Sequence, residues 1–293
     1  MVAKVCVFND PRLASYNFGE QHPFGPARFE AFNAAFIARG LDQRVQTCEA
    51  LSATQAQIEW FHDHDYVENV KLASLAGSGY RDQVDTPAFP GVYEASTLVA
   101  GTTLQAIHSI MNGQCRRAFT PIAGLHHARR HTAAGFCVFN DCGIAIEALR
   151  REYGVQRIAY VDIDAHHGDG VFYSFESDPD LIFADLHEDG RFLYPGTGAV
   201  TETGIDAAVG TKLNVPMPMG ANDAAFDKVW GSVVSFITKA KPEFILLQCG
   251  ADSIQGDPIT HMAYSSHAHA RATTELCKLA DEYCQGRLLA MGG

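Results

Sequence analysis

The sequence predicts an α/β protein whose mostly parallel sheet is covered by helices on both faces. Two observations predict that class. Near-continuous apolar runs recur along the chain and alternate with segments of helical periodicity, as expected of strands buried on both faces. Residues capable of chemistry cluster where those runs end. In a parallel sheet that is the carboxyl edge, where ligands bind.

Taken in order, the strand-like runs are "VAKVCVF", "RAFTPIAG", "RIAYVDI", "LIFADL", "EFILLQCG" and "RLLAMGG". Each is short, apolar and rich in β-formers. The helical patterns between them are "GPARFEAFNAAFIARG", "GVYEASTLVAGTTLQAIHSIMNG", "FNDCGIAIEALRREYG", "DAAFDKVWGSVVSFITKAK" and "SSHAHARATTELCKLADEYC". Asn140 is placed to cap the third of these. A long loop is expected between "FHDHDYVENVKLAS" and Pro90, and another along "DLHEDGRFLYPGTGAVTETG". Loops of that length in a compact domain are usually functional or disordered.

Composition bounds the function. The 293 residues are 47% hydrophobic and 19% charged, ordinary for one large domain spanning 1–293. A net charge of −12 argues against nucleic-acid binding, which leaves a basic footprint. The eight cysteines are scattered without a C-x-x-C pair, so reduced core thiols in a cytoplasmic protein are expected. No apolar run approaches the roughly 20 residues of a membrane span, so no membrane partner is expected.

The densest chemistry lies in "YVDIDAHHGDG", residues 160–170. In a strand, residues two apart share a face, so Asp162, Asp164 and His166 point the same way. Such groups cannot be buried unpaired, so they need a cation or close partners. Asp164 and His166 with Asp252, at the end of "EFILLQCGA", make a mixed oxygen and nitrogen donor set. That set suits zinc, with ferrous iron as competitor, and three protein ligands leave a position open for water or substrate. His126 and His127 follow "RAFTPIAGL" and supply imidazoles that titrate near neutrality. Asp162 and Asp169 are the acids available to hold those rings. In "AAGFCVFND", Phe136 is a candidate wall residue, while packing and capping account for most of the rest. "YPGTG", residues 194–198, has turn chemistry throughout.

Assembled, these motifs resemble the histone deacetylase superfamily, including the bacterial acetoin-utilisation-type deacetylases, over essentially the whole chain. The matching stretches are "HPFGPARF" (22–29), "HHARRHTAAGFCVFND" (126–141), "YVDIDAHHGDGV" (160–171), "YPGTG" (194–198) and "LLQCGADSIQGDP" (246–258). The resemblance implies the three-layer arginase/deacetylase fold with a central, mostly parallel sheet of about eight strands. It implies hydrolysis of an acetylated amine, either acetyl-lysine or a small acetylated amine. Asp164, His166 and Asp252 match the family's zinc ligands. His127, backed by Asp169, matches its general base and acid, and His126, backed by Asp162, its electrostatic partner. Asp162, Asp164, His166, Asp185 and Leu186 fall where the family binds potassium, although position 185 is a serine in many eukaryotic members. Phe136 and Tyr194 fall at the walls of the acyl-lysine tunnel, and Asp85 at its rim.

The resemblance also implies an oxyanion donor, a tyrosine after a glycine run, whereas this chain stops at Gly292–Gly293. On that reading the C-terminal segment is missing, and the chain as written binds metal but hydrolyses poorly. Two alternatives stay open. One is a non-catalytic homologue that binds metal or ligand. The other is an arginase-like ureohydrolase, which "DAHHGD" also resembles. Two manganese ions would then need further carboxylates, and "GADSIQGDP" offers Asp257 alone beyond Asp252.

Overall fold

A computed structural model describes residues 3–79, 82 and 85–293, and the chain divides after Tyr153 into two compact units. The first unit contains β1 (Ala3–Val7), β2 (Gln46–Thr47) and β3 (Cys115–Thr120), in the order β2-β1-β3 and all parallel. Its helices are α1 (Ala27–Ala38), α2 (Gln55–Ile58), α3 (His64–Ala76), α4 (Val92–Met111) and α5 (Asp141–Tyr153). Helix α4 packs on β3 and α5, and buried small residues let it approach its neighbours closely. At Gly101 a Cβ would lie 2.1 Å from the Leu51 carbonyl oxygen, so a larger side chain would push that segment away.

The second unit contains β4 (Ile158–Asp162), β5 (Leu181–Glu188), β6 (Lys212–Met217), β7 (Phe244–Gln248) and β8 (Leu288–Met291). They run in parallel in the order β8-β7-β4-β5-β6. Every residue of β4, β5 and β7 is buried, which is why their sequences read as apolar runs up to Asp162, Asp185 and Gln248. Helix α6 (Asp169–Ser174) follows β4, α7 (Asp223–Ala240) packs on β5 and β6, and α8 (Ser266–Tyr283) packs on β7. Asn222 and Ser265 cap α7 and α8 by accepting from the backbone N–H groups of Ala225 and His267.

Register sets the site. Asp162 pairs with Asp185 on one side and with Gln248 on the other. The carboxyl ends of β4, β5 and β7 therefore lie side by side, where three polar segments leave the sheet. Strand β4 ends at Asp162, so the alternation expected across Asp162, Asp164 and His166 stops before the last two. They lie in the bend beyond it.

Candidate metal centre and tandem histidines

Within the second unit, the segment after β4 and the segment after β7 bring Asp164, His166 and Asp252 together. One ligand atom from each lies within 4.8 Å of the others, and this is the one such group of three among the described residues. His166 Nδ1 stands 3.1 Å from Asp164 Oδ1 and 2.7 Å from Asp252 Oδ2. Gln248 Nε2 donates to Asp164 Oδ2, and the Ala165 N–H donates to Asp252 Oδ1. Both carboxylates are thus oriented from outside the cluster. Gly250 closes it, since a Cβ there would lie 2.0 Å from Asp164 Oδ2.

The electrostatics of the cluster favour a cation. Burial pushes the Asp252 carboxyl up, and the charge of Asp164 adds to that. Burial opposes charge on His166, but its bonds to Asp164 and Asp252 outweigh burial and raise its pKa well above the usual range. A divalent ion supplies the positive charge that protons otherwise provide. Metal uptake must therefore expel protons, and affinity must fall as pH drops and the ligands hold them more tightly. Calorimetric zinc titration in buffers of different ionisation enthalpy should show proton release that grows toward acid pH. Uptake with no proton release between pH 5.5 and about 7.5 would contradict this ligand set.

The neighbouring strand end carries a second buried ionic group. His187 Nδ1 donates to Asp185 Oδ1 at 2.7 Å and Nε2 donates to the Gly198 carbonyl at 3.0 Å. The Gly198 carbonyl only accepts, so Nε2 carries a proton, and the Asp185 carboxylate favours a second proton on Nδ1 and with it the charged ring. Burial disfavours that charge, yet Asp185 raises the His187 pKa. Asp185 Oδ2 also accepts from the Gly168 N–H. Gly198, at φ +85°, has no room for a side chain against His187 and His167, and His167 Nδ1 lies 2.8 Å from Thr197 Oγ1. Together these contacts anchor the "YPGTG" turn. Tyr194, at its head, is 44% exposed with its ring 6.4 Å from that of His166.

Asp162 and Asp169 are buried. The Asp162 carboxylate accepts from the Tyr160 hydroxyl and the Asp164 N–H, and Asp169 opens α6. Leu186 is buried within β5.

In the first unit, His126 and His127 follow β3, are buried, and face each other with their Nε2 atoms 3.1 Å apart. Only one proton fits between the two nitrogens. Phe136 holds a left-handed backbone, φ +67°, which costs a non-glycine residue about 1–3 kcal/mol. The Tyr16 hydroxyl donates to its carbonyl, its N–H donates to Thr86 Oγ1, and its ring meets His22 at 4.5 Å. His22 Nε2 in turn donates to the Asp85 carbonyl. The structure thus brings Asp85 and Phe136, far apart in sequence, to the same place. Tyr16, His22 and Thr86 had no sequence signal beyond the presence of His22 in "HPFGPARF". Tyr264 is buried with its ring against Phe226.

With this geometry in hand, comparison with known proteins decides the family. The profile described as "Histone deacetylase domain" matches residues 22–293. This chain belongs to the histone deacetylase family. This family member is 34% identical to acetoin utilization protein AcuC of Bacillus subtilis over 292 residues, covering 97% of this chain and 75% of that protein. It is 30% identical to histone deacetylase RPD3 of Saccharomyces cerevisiae over 276 residues, covering 91% of this chain and 63% of that one. The crystal structure of the HDA15 HD domain matches with a TM-score of 0.90 and 27% identity, over 100% of this chain and 84% of that one. The three-layer deacetylase α/β fold with a parallel sheet of about eight strands is therefore the fold of this family member. No helix among the described residues is long and apolar enough to cross a membrane.

Proposed function

We propose that the chain hydrolyses the amide of an acetylated amine, with Asp164, His166 and Asp252 holding a zinc or ferrous ion. The observation that carries the reading is the three-donor cluster in a chain that also has the family's tandem histidines. Two carboxylates, each oriented by a further hydrogen bond, and one imidazole fit a divalent ion of that kind. When bound, such an ion polarises the amide carbonyl and acidifies water.

The chain's own residues do the rest. His127 takes the proton of the attacking water and returns one to the departing amine, so acetamide plus water becomes acetate plus free amine. Asp169 is assigned to hold the His127 ring, and Asp162 that of His126, which tunes the charge nearby. Phe136 and Tyr194 are assigned to the walls around the acyl chain and Asp85 to the rim. The locked backbone of Phe136 and the exposed ring of Tyr194 support those roles. Potassium is assigned to Asp162, Asp164, His166, Asp185 and Leu186, largely through backbone carbonyls. The buried Asp162 carboxylate, in register with position 185, supports a cation there. The eight scattered cysteines, with no C-x-x-C pair, support a cytoplasmic setting.

The substrate class is tested by a turnover panel of acetyl-lysine peptides against acetylated polyamines, run with zinc and with ferrous iron. Acetate release from at least one class, dependent on metal, is expected. Full metal loading with no acetate from either class would instead favour a protein that only binds.

A further inference from the structure

We propose that Asn140, Asp141 and His62 form a buried polar clamp that sets the position of the tandem histidines. The inference rests on the role assigned above to His127 and makes these three positioning residues for its proton transfers. All three are buried. Asp141 Oδ1 accepts from the Leu125 N–H at 2.7 Å and the Gly124 N–H at 3.0 Å, and Oδ2 accepts from the Thr103 hydroxyl at 2.6 Å. Asn140 Nδ2 donates to the Ala128 carbonyl at 2.8 Å and the His126 carbonyl at 3.2 Å. His62 Nε2 accepts from the Asn140 N–H at 2.8 Å, so its Nδ1 carries the proton and donates to the Arg130 carbonyl at 3.3 Å. Burial lowers the His62 pKa to about 3, which keeps it neutral and in that tautomer.

The plain alternative is that Asn140 and Asp141 only start helix α5. Capping does account for Asn140 Oδ1, which accepts from the Gly143 N–H. It accounts for none of the other groups. Both amide hydrogens of Asn140, and the carboxylate of Asp141, are aimed across at the segment that carries the histidines. The carbonyls at 126 and 128, one residue to either side of His127, both accept from one amide nitrogen, so the peptide entering His127 and the one leaving Ala128 are pinned. That fixes the direction of the His127 side chain without touching its ring. A buried carboxylate is costly unless fully bonded, and here the bonds holding Asp141 also hold the approach to His126.

The test is Asn140→Asp, which keeps the shape and replaces one nitrogen that donates twice by one acceptor oxygen facing two carbonyl oxygens. Misplacing a proton-transfer group by about 1 Å commonly costs on the order of 10²-fold, so kcat should fall by about that factor. KM and bound metal should change little. In a His127→Ala background the same change should add almost nothing, because residues acting through one another are not additive. Unchanged kcat in N140D, or the full loss repeated on top of H127A, would overturn the clamp. If H127A itself keeps wild-type turnover, the reading of His127 fails. If H127A loses turnover and N140D keeps it, the clamp alone fails. Should N140D unfold, His62 carries the test: His62→Gln keeps an acceptor near the Nε2 position and should recover most of the kcat that His62→Ala loses. Equal kcat in those two variants would count against the clamp.

Discussion

Replacing Asp252 by alanine should yield a folded chain that no longer holds a transition metal tightly. Asp252 supplies one of three donors, and its Oδ2 sits 2.7 Å from His166 Nδ1. Without it, Asp164 and His166 remain as a two-donor shell. The metal-free variant should lose little stability. The bonds from the Ala165 N–H and His166 Nδ1 go, at about 0.5–1.5 kcal/mol for an ordinary hydrogen bond and more for a charged one, but so do the burial of a carboxylate and its repulsion by Asp164, which together push Asp252 up. The larger effect is in the loaded protein. Ligand at 100 times its Kd stabilises the native state by about 2.7 kcal/mol, so added zinc should raise the melting temperature of the wild-type chain and not that of D252A. Turnover should fall by at least about 10³-fold, since the ion's polarising role is worth several kcal/mol. Full metal content in D252A would remove Asp252 from the ligand set.

His127→Ala should have the opposite signature: metal retained, turnover lost. A general acid–base group contributes about 10²–10⁴-fold, and that loss is expected in kcat with metal content unchanged. His126→Ala should cost less. The two Nε2 atoms are 3.1 Å apart, so removing His126 changes the surroundings of His127 without removing the base. The pH–rate profile of H126A should therefore move, whereas that of H127A should flatten. If H126A is the more damaged variant, the two roles are exchanged.

The sheet was legible in the sequence where its strands are buried on both faces. Strands β4, β5 and β7 are buried throughout, so nothing polar interrupts them until the site begins. Strand β6 was not recognised because it carries Lys212, Asn214 and Pro216. Proline is tolerated at a sheet edge. Lys212 is buried all the same, its ammonium donating to the carbonyls of Asp178 and Leu181 and to Thr211 Oγ1, a set of partners that composition does not reveal. Strand β2 is two residues long, below the reach of any periodicity. Helix α3 occupies the stretch around "FHDHDYVENVKLAS", whose charges mask its apolar face.

The metal ligands were legible because acids and imidazoles gathered at buried strand ends need a cation or close partners. Asp164 and His166 nonetheless meet Asp252 through a bend, and strand alternation does not supply that geometry. Asn140 was legible as a helix cap and no more. Beyond the Thr103 hydroxyl, the His62 ring and the Gly143 N–H, the partners of Asn140 and Asp141 are backbone groups of residues 124–128, and backbone groups leave no mark in a sequence. The same holds for Thr86 and Tyr16, which meet Phe136 only through its N–H and its carbonyl.

The central claim is that one cluster of three residues holds one ion for amide hydrolysis. Its most direct test is to strip the chain of metal and add zinc back stepwise, following acetate release from the substrate selected by the panel. The donor set formed by Asp164, His166 and Asp252 predicts release that climbs linearly and stops at one equivalent per chain. A break at two equivalents, or acetate released before any metal is added, would contradict it.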